Sequence, residues 1–377
     1  MRQTLKLFAA IVLACGLGLA AGPAAAQGTA TVTGVVKDME AKPFAGATIA
    51  FKNSDTGAEL SSKIGADGKY SVEGLRSGIY DITVSDPTGL PLYATKTKVE
   101  SGGNLTLDLN LKDLITPEQL AERKRQAAAQ QGFVKMKAAF DAGQVKVEEA
   151  DKARADMLKS PADQRAAQQP KVNDLYSEAL QDFQQAQQVA SAKDPNMHLI
   201  YEKLGYTNEM LGHYDEAITD YQKAIELKPT VPEYYSILSL ALAKTGKAAD
   251  ASQACDKATS LDQAKGSSCY LNVGITLYNK YQLAEAVAPL QKATELNPKS
   301  AQAWYLLGAS LVATMTTKQE GEKMIPVLAP GTVEAYQKCI ELDPNGPWGA
   351  QAKAGLEQLQ AMGAGVDTKI KVKKGKG

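Results

Sequence analysis

The sequence predicts a multidomain chain in which a small antiparallel β-sandwich is followed by an all-α array of helical repeats. Two observations lead to this fold class. Between residues 28 and 112, short runs of alternating apolar and polar residues are separated by clusters of Gly, Asp and Pro, which is typical of strands and turns. Between residues 198 and 344, a helix–turn–helix pattern recurs at intervals of about 34 residues.

Residues 1–26 have the features of a secretory signal peptide. Arg2 and Lys6 give a basic start, residues 7–21 are apolar, and three alanines precede the expected cleavage site. A lipoprotein signal that uses Cys15 is the weaker interpretation, because the apolar run continues past this cysteine. We therefore expect a bacterial exported protein of the periplasm or cell envelope; association with the outer membrane and secretion are alternatives. No later stretch is long and apolar enough to span a bilayer.

Composition and motifs argue against an enzyme. Lys plus Arg and Asp plus Glu both number 42, so no net charge favours nucleic acid as a partner. The sequence contains no nucleophile elbow, phosphate-binding glycine loop or zinc-protease motif. Its two histidines, His198 and His213, are expected to be surface residues. We predict no catalytic residues, no metal and no cofactor.

The sandwich is predicted to occupy residues 27–112. Its expected strands are 31–36, 47–52, 70–72, 80–84 and 105–111. The dipeptide Asp67 and Gly68 is typical of a hairpin turn, because glycine tolerates a positive φ.

Several residues of this segment match one known domain type. They are Gly34, Val35, Val36, Pro43, Gly46, Ala47, Asp67, Gly68, Lys69, Tyr70, Leu75, Gly78 and Tyr80. On these residues the segment resembles the carboxypeptidase regulatory-like, or transthyretin-like, domain. The resemblance implies an accessory sandwich without catalytic residues of its own.

Carbohydrate binding is an alternative role for the sandwich. Sugar-binding surfaces usually present exposed aromatic rings, but this segment has no Trp. Its aromatic residues stand mostly at core-like or turn positions, namely Phe44, Phe51, Tyr70, Tyr80 and Tyr93.

A helical region is predicted from 113 to 195. Thr116, Pro117 and Gln119 form a helix start with a capping box. Further on, we expect an apolar stripe at Phe133, Met136, Ala139 and Phe140, a turn at 141–143, and a partner helix over 147–158. A polar break bracketed by Pro161 and Pro170 is expected to precede a helix over 175–190. These segments would form one or two irregular repeats at the start of the array.

The repeat pattern is clearest from Tyr201 to Pro229. Small residues, Gly205, Ala217 and Ala224, would let two helices approach closely, and larger ones would fill the space around them. The equivalent landmarks recur in three further copies, namely Tyr235, Leu238, Ser239, Ala251, Cys255 and Ala258; then Tyr270, Val273, Gly274, Ala286, Leu290, Ala293 and Pro298; then Trp304, Leu307, Gly308, Leu311, Thr332, Tyr336, Cys339 and Pro344. This pattern resembles the tetratricopeptide repeat (TPR).

The resemblance divides residues 196–346 into four repeats. Their bounds are 198–231, 232–265, 267–300 and 301–346. The second copy is degenerate, because Gln263 stands where a closing proline is expected, and the turn of the fourth is lengthened by residues 315–331.

The C-terminal end completes the predicted organisation. Residues 347–363 would form a capping helix, which solenoids need at their ends. Residues 364–377 would form a solvated, lysine-rich tail that makes at most weak contact with anionic surfaces.

The resemblance to TPR proteins also implies a partner-binding groove, because the first helices of these repeats line a concave surface. The residues expected to face it are Glu202, Tyr206, Glu209, Met210, Ser236, Leu240, Lys244, Leu271, Ile275, Tyr278, Asn279, Tyr305, Ala309 and Val312. This set is mostly apolar and aromatic, which suits an extended peptide or a helix. Glu202, Tyr206 and Leu240 stand where the carboxylate-clamp variant of the family places Lys and Asn, so an acidic C-terminal peptide is disfavoured. Alternatively, the N-terminal helices or the 315–331 insertion cover these residues.

Two interpretations of the cysteines remain open. Cys255 and Cys269 lie on neighbouring helices of adjacent repeats, and an exported protein could bond them as a disulfide. In the other interpretation, Cys255 and Cys339 replace the large apolar residue of the second helix. Cys339 stays free in either case.

The sequence therefore predicts a non-enzymatic protein–protein interaction scaffold of the bacterial cell envelope. Its repeats would bind a protein or peptide, and its sandwich would serve as a docking domain or as a spacer. The alternatives are a carbohydrate or envelope-polymer binder that uses the sandwich, and an accessory subunit of an envelope enzyme.

Overall fold

The computed structural model describes residues 28–191, 193–320 and 322–364. The chain divides into two units, Met1–Gln130 and Gln131–Gly377. The predicted signal peptide and nearly all of the predicted lysine-rich tail lie outside the described residues. Among the residues that are described, no helix combines the length and the apolar character needed to cross a membrane.

The described part of the first unit forms two facing sheets. Its strands are β1 (Ala30–Lys37), β2 (Thr48–Asn53), β3 (Glu59–Lys63), β4 (Lys69–Leu75), β5 (Gly78–Ser85), β6 (Pro91–Val99), β7 (Asn104–Thr106) and β8 (Leu109–Asn110). One sheet has the order β4-β1-β7, with β8 also paired to β1, and the other has the order β3-β2-β5-β6. The pairings are antiparallel except that β7 and β8 run parallel to β1.

The sandwich core comes from alternating positions of the central strands. Ile49 and Phe51 of β2 and Ile82 and Val84 of β5 are fully buried. The predicted β-sandwich is therefore confirmed. Two strands were not predicted, β3 and β6. Both are edge strands, and β3 has no buried side chain, so its sequence shows little apolar alternation.

The turn at Asp67 and Gly68 does not close a hairpin. Gly68 has a φ of +82° and its N–H donates to the carbonyl of Gly65, as expected for a tight turn. However, β3 and β4 belong to different sheets. The turn therefore carries the chain from one sheet to the other, and the hairpin prediction was wrong.

Two helices follow the sandwich before the main helical unit. They are α1 (Leu111–Leu114) and α2 (Pro117–Lys159). The predicted capping box is present, since the Gln119 N–H donates to Thr116 Oγ1 at 3.2 Å and the Thr116 N–H donates to Gln119 Oε1 at 2.9 Å.

Helix α2 continues without the turn that was predicted at 141–143. The glycine that suggested a turn, Gly143, is instead a packing position. A methyl group built on it would lie 2.7 Å from the Phe183 ring, so glycine is needed for the close approach of the next helix, α3 (Ala162–Val189). Pro170 also lies inside α3, and the predicted polar break between Pro161 and Pro170 is helical. Good helix formers before Pro170 and buried Val172 and Tyr176 after it outweigh the lost hydrogen bond.

The remaining helices form the repeat array. They are α4 (Met197–Leu211), α5 (Tyr214–Leu227), α6 (Pro232–Lys244), α7 (Ala248–Leu261), α8 (Gln263–Asn279), α9 (Leu283–Leu296), α10 (Ala301–Val312), α11 (Thr332–Leu342) and α12 (Pro347–Ala361). Each first helix packs on the second helix of its own repeat, and that second helix packs on the next first helix. The α-helical repeat fold is thus confirmed.

A glycine on the first helix faces a large side chain on the second in three of the repeats. Methyl groups built on Gly205, Gly274 and Gly308 would lie 2.5 Å, 2.5 Å and 2.8 Å from atoms of Tyr221, Leu290 and Tyr336, respectively. A side chain at any of these glycines would force the facing residue or the helices to move. The contact of Gly143 with Phe183 has the same form, which makes α2 and α3 a repeat-like pair.

The long turn of the fourth repeat is a β-hairpin. Its strands are β9 (Thr316–Glu320) and β10 (Lys323–Val327), which pair antiparallel. The hairpin lies between α10 and α11, and after it Leu328 packs beside the buried core around Tyr336.

Candidate peptide-binding face

The first helices of the repeats form one side of the array, which we call the inner face. Helix α6 packs against α8 and α8 packs against α10, more closely than the second helices α7 and α9 pack against each other. This closer packing places α6, α8 and α10 on the inner side of the array. The predicted groove residues lie on α4, α6, α8 and α10.

At the N-terminal end, the chain itself covers two predicted groove residues. Tyr206 and Met210 of α4 pack with a buried cluster of α2 and α3 residues, namely Ala150, Met157, Val172 and Tyr176. The Tyr206 and Tyr176 hydroxyls each donate to Asp151 Oδ1, both at 2.6 Å. Burial, followed by the contact with Asp151, raises the pKa of Tyr206 to about 12. Helices α2 and α3 therefore cover part of Tyr206 and Met210, which are half-buried, and these contacts support the alternative of coverage by the N-terminal helices.

Two charged groove predictions, Glu209 and Lys244, bind each other instead of facing a ligand. Glu209 is only 8% exposed, and its carboxylate accepts from the Tyr221 hydroxyl at 2.8 Å and the Lys244 ammonium at 2.7 Å. The same ammonium lies 5.4 Å from the centre of the Tyr214 ring. This network joins the first repeat to the second.

The middle of the inner face is open. Leu240 of α6 and Leu271, Ile275 and Tyr278 of α8 are all half-buried. The three α8 residues rest on the main core of the array, so their positions are fixed while part of each remains exposed. We call these four residues the open inner face.

At the C-terminal end, α12 closes the surface again. The Tyr305 ring lies between Tyr336 and Trp348, with centroid distances of 6.2 Å and 5.5 Å. Burial and the neighbouring Tyr278 hydroxyl raise the pKa of Tyr305 to about 12. Ala309 and Val312 pack beside the same cluster.

The remaining predicted groove residues make local contacts or stand at a helix end. Glu202 is ion-paired with its neighbour Lys203 at 3.3 Å. The Ser236 hydroxyl donates to the carbonyl of Pro232 at 3.2 Å, within its own helix. Asn279 is exposed at the end of α8.

The helices around the open inner face carry no unpaired charge. Helices α6, α8 and α10 contain three charged residues, Glu233, Lys244 and Lys265. Lys265 pairs with Glu233 at 3.0 Å, and Lys244 pairs with Glu209. A carboxylate ligand would therefore find no free cation on these helices.

One histidine is placed differently from the prediction. His198 is 7% exposed, and its Nδ1 lies 2.6 Å from the Tyr234 hydroxyl of the next repeat. Burial, and after it the nearby positive charge of Lys228, lowers the pKa of His198. The prediction of a surface residue was wrong for His198, whereas His213 is exposed.

Cys255 and Cys269 form a disulfide, with their Cα atoms 5.6 Å apart. Cys339 is a buried free thiol, and burial raises its pKa to about 11. Because Tyr336 is the residue that faces Gly308, Cys339 occupies the place of the small residue Ala224 rather than that of a large one. Among the described residues, no three His, Cys, Asp or Glu side chains are grouped to hold a metal ion.

Comparison with protein-family models gives three matches. Residues 31–112 match the carboxypeptidase regulatory-like domain, residues 210–246 match the TPR repeat, and residues 267–297 match a further tetratricopeptide repeat model.

Individual relatives are distant. The small glutamine-rich tetratricopeptide repeat-containing protein 2 of Mycosarcoma maydis is 33% identical over 87 residues, which cover 23% of this chain. The chain thus spans about a quarter of that protein, since the match covers 24% of it.

The solved structures of similar fold include TPR proteins. The crystal structure of MamA protein is 18% identical, with a TM-score of 0.38 over 56% of this chain and 92% of that one. The structure of YrrB, described as a TPR protein with an unusual peptide-binding site, is 21% identical, with a TM-score of 0.34 over 49% and 86%. The family matches confirm both resemblances seen in the sequence: the chain combines a carboxypeptidase regulatory-like domain with tetratricopeptide repeats.

Proposed function

We propose that this chain is a non-catalytic interaction scaffold whose open inner face binds the apolar side of a peptide or helix from a partner protein. The tetratricopeptide repeats support an interaction role in general. The more specific proposal depends on the residues that the array leaves uncovered, Leu240, Leu271, Ile275 and Tyr278.

One observation carries the proposal: the exposed middle of the inner face is apolar, and every charge on its helices is already paired. Three aliphatic side chains and one tyrosine offer apolar area, and their single polar group, the Tyr278 hydroxyl, contacts Tyr305. Aromatic and aliphatic anchors of this kind dominate the free energy of binding at many protein interfaces. Binding should therefore depend on buried apolar area and vary little with salt.

The sandwich and the location of the protein form the second part of the proposal. We assign the sandwich a docking or spacing role, because its rings of Phe51, Tyr70 and Tyr80 are buried in the core. Export follows from the predicted signal peptide, and a disulfide fits an oxidising compartment. Cell fractionation with N-terminal sequencing tests this part: an intact N-terminus in the cytoplasm would contradict it.

The binding proposal can be tested with a probe peptide labelled with a fluorophore. The probe is an amphipathic peptide of about 18 residues, longer than the roughly 12–15 residues below which isolated helices are marginal in water, with Leu and Ala on one helix face and Glu and Lys on the other. We expect the full chain to bind it more tightly than a scrambled peptide of the same composition. We also expect it to prefer the probe over a peptide ending in acidic residues.

Paired variants locate the site. We expect Tyr278→Ala to weaken probe binding by about tenfold, as truncation of an aromatic anchor does. Lys280→Ala, an exposed change two residues away, should leave the affinity unchanged. Equal affinities for Tyr278→Ala and the unchanged chain would refute this site, and so would tighter binding of the acidic peptide.

A further inference from the structure

The second repeat lacks the large side chain that the other three use between their helices. Where those repeats pair a glycine with Tyr221, Leu290 or Tyr336, the second repeat has Ser239 on α6 and Cys255 on α7. A cysteine is much smaller than a tyrosine or leucine, so this position alone would leave the helix pair underpacked.

The disulfide fills that position from the neighbouring repeat. Cys255 is 0% exposed, and its partner Cys269, on the first helix of the third repeat, is 3% exposed. The Ser239 hydroxyl lies 3.2 Å from Cys269 Sγ. The two sulfurs therefore occupy the space beside Ser239 that a single large side chain fills beside each glycine.

The junction between these two repeats is also unlike the others. Helices α5 and α6, and likewise α9 and α10, are separated by four residues that include a proline, at 228–231 and 297–300. Only Asp262 separates α7 from α8, and its carboxylate accepts from the Ala264 N–H at 2.9 Å. The first turn of α8 thus takes the place of the usual linker.

This first turn needs close packing to stay in place. A methyl group built on Gly266 would lie 2.4 Å from Thr259 Oγ1, so the backbone of α8 lies directly on α7. On its other side, the turn exposes Gln263, Ala264 and Ser268 to solvent. Cys269 is the next residue along, so the disulfide ties α8 down where its solvent-exposed turn ends.

We propose that the Cys255–Cys269 disulfide is a redox-sensitive clamp that replaces the large side chain of the second repeat and fixes α8. Because α8 carries Leu271, Ile275 and Tyr278, the clamp also controls the open inner face. That consequence for binding rests on the proposed function, whereas the effect on α8 does not.

The redox step requires a dithiol. Its two thiols become a disulfide and supply two electrons and two protons; the Cys255–Cys269 bond breaks, and both cysteines become thiols. Because the sulfurs are buried, the attacking thiolate gains access when the exposed first turn of α8 opens. Helix α8 then loses its covalent link to α7 and the second repeat becomes underpacked.

Amide hydrogen exchange of the full chain tests the clamp directly. All samples carry Cys339→Ala, which removes the free thiol and copies Ala224 of the first repeat. On reduction with dithiothreitol, we expect the amides of residues 263–279 to lose protection by at least about tenfold. The amides of α4 and α5 should change much less. Cys255→Ala/Cys269→Ala should reproduce this result without reductant. Unchanged protection of α8 after verified reduction would overturn the clamp.

A rescue variant separates the clamp from a general loss of stability. Ser239→Gly/Cys255→Leu/Cys269→Ala copies the arrangement of Gly274 and Leu290 in the third repeat. We expect it to restore the protection of α8 to within about threefold of the oxidised chain, with no response to dithiothreitol. If protection stays as low as in Cys255→Ala/Cys269→Ala, the disulfide does not fill the place of a large side chain in the second repeat.

Binding of the probe peptide provides the second readout. We expect an affinity about tenfold lower for the reduced chain than for the oxidised chain, and recovery in the rescue variant. If exchange in α8 responds to reduction but neither form binds the probe, the clamp stands and the proposed function fails. If both forms bind the probe equally although α8 has loosened, control of the open inner face is refuted.

Discussion

The two halves of the inner face differ in what covers equivalent repeat positions. At α4, Tyr206 and Glu209 are held by the chain's own polar groups, from Asp151 on α2 to Lys244 on α6. At α8, the equivalent helix face presents Leu271, Ile275 and Tyr278, and no charged group of its own helix competes with a ligand there. The comparison shows that repeat position alone does not determine whether a residue binds a partner. A residue is available to a partner only if no neighbouring helix already covers its side chain.

The largest expected effect on stability comes from the core of the first repeat. Tyr221→Ala removes a fully buried ring and its hydrogen bond to Glu209. We expect the free energy of unfolding to fall by about 3–5 kcal/mol, measured by urea denaturation followed by circular dichroism. Tyr281→Ala is the matched control, because Tyr281 is 89% exposed in the turn between α8 and α9. A loss below about 1 kcal/mol for Tyr221→Ala would contradict the packing described for this repeat.

A smaller effect is expected from the contact that closes the N-terminal end. Asp151→Ala removes the acceptor of two tyrosine hydroxyls, so we expect a loss of about 1.5–3 kcal/mol. Tyr176→Phe and Tyr206→Phe each remove one donor, and their double variant should cost nearly as much as Asp151→Ala. If the double variant matches the unchanged chain in urea denaturation, these hydrogen bonds do not hold α4 to the preceding helices.

The ion pair between the first and second repeats should matter less. Glu209→Gln keeps an acceptor for the Tyr221 hydroxyl but removes the attraction to Lys244. Because Lys244 is about a third exposed and water can solvate it, we expect a loss of about 1–2 kcal/mol. High salt should reduce the difference between the two proteins. A difference that grows with salt would show that the pair is not electrostatic in origin.

The smallest effect is a pH dependence on the second helix of the first repeat. Burial raises the pKa of Asp220 to about 6, against the opposing hydrogen bond from the Asn208 amide at 2.9 Å. A raised carboxyl pKa favours the folded state below the unfolded pKa of 3.8, and this contribution is lost as the pH rises to about 6.

Asp220→Asn should therefore unfold at a slightly higher temperature than the unchanged chain at pH 7 and lack this contribution between pH 4 and 6. We expect the two free energies of unfolding to differ by less than about 1 kcal/mol, because solvent screens a partly exposed group. Thermal unfolding at a series of pH values measures the difference. Parallel curves for the two proteins across this range would exclude a raised pKa.

Local patterns predicted the repeats because their key contacts lie within one helix pair. Gly205 meets Tyr221 only 16 residues later, so both residues fall within one period of the sequence. Asp151 meets Tyr206 across 55 residues, from a helix outside that period, and no local signal marks this contact. For the same reason the sequence did not show which groove residues would be covered.

Glycine was the other source of error, since one residue type serves turns and close packing alike. Gly143 suggested a turn in the sequence but lies against Phe183 inside a continuous helix. Gly143 and Phe183 are 40 residues apart, against 16 for Gly205 and Tyr221, so the repeat period did not reveal this contact. Edge strand β3 was missed because its side chains are exposed and carry no burial pattern.

The β-hairpin of the fourth repeat shows where this protein accepts additional sequence. Gly308 and Tyr336 are 28 residues apart, against 16 for Gly205 and Tyr221, yet both pairs make the same contact. The turn between the helices of a repeat is therefore a natural insertion point. A fluorescent reporter or an affinity tag placed in the turn at Gly212 and His213 should leave the fold of the array intact.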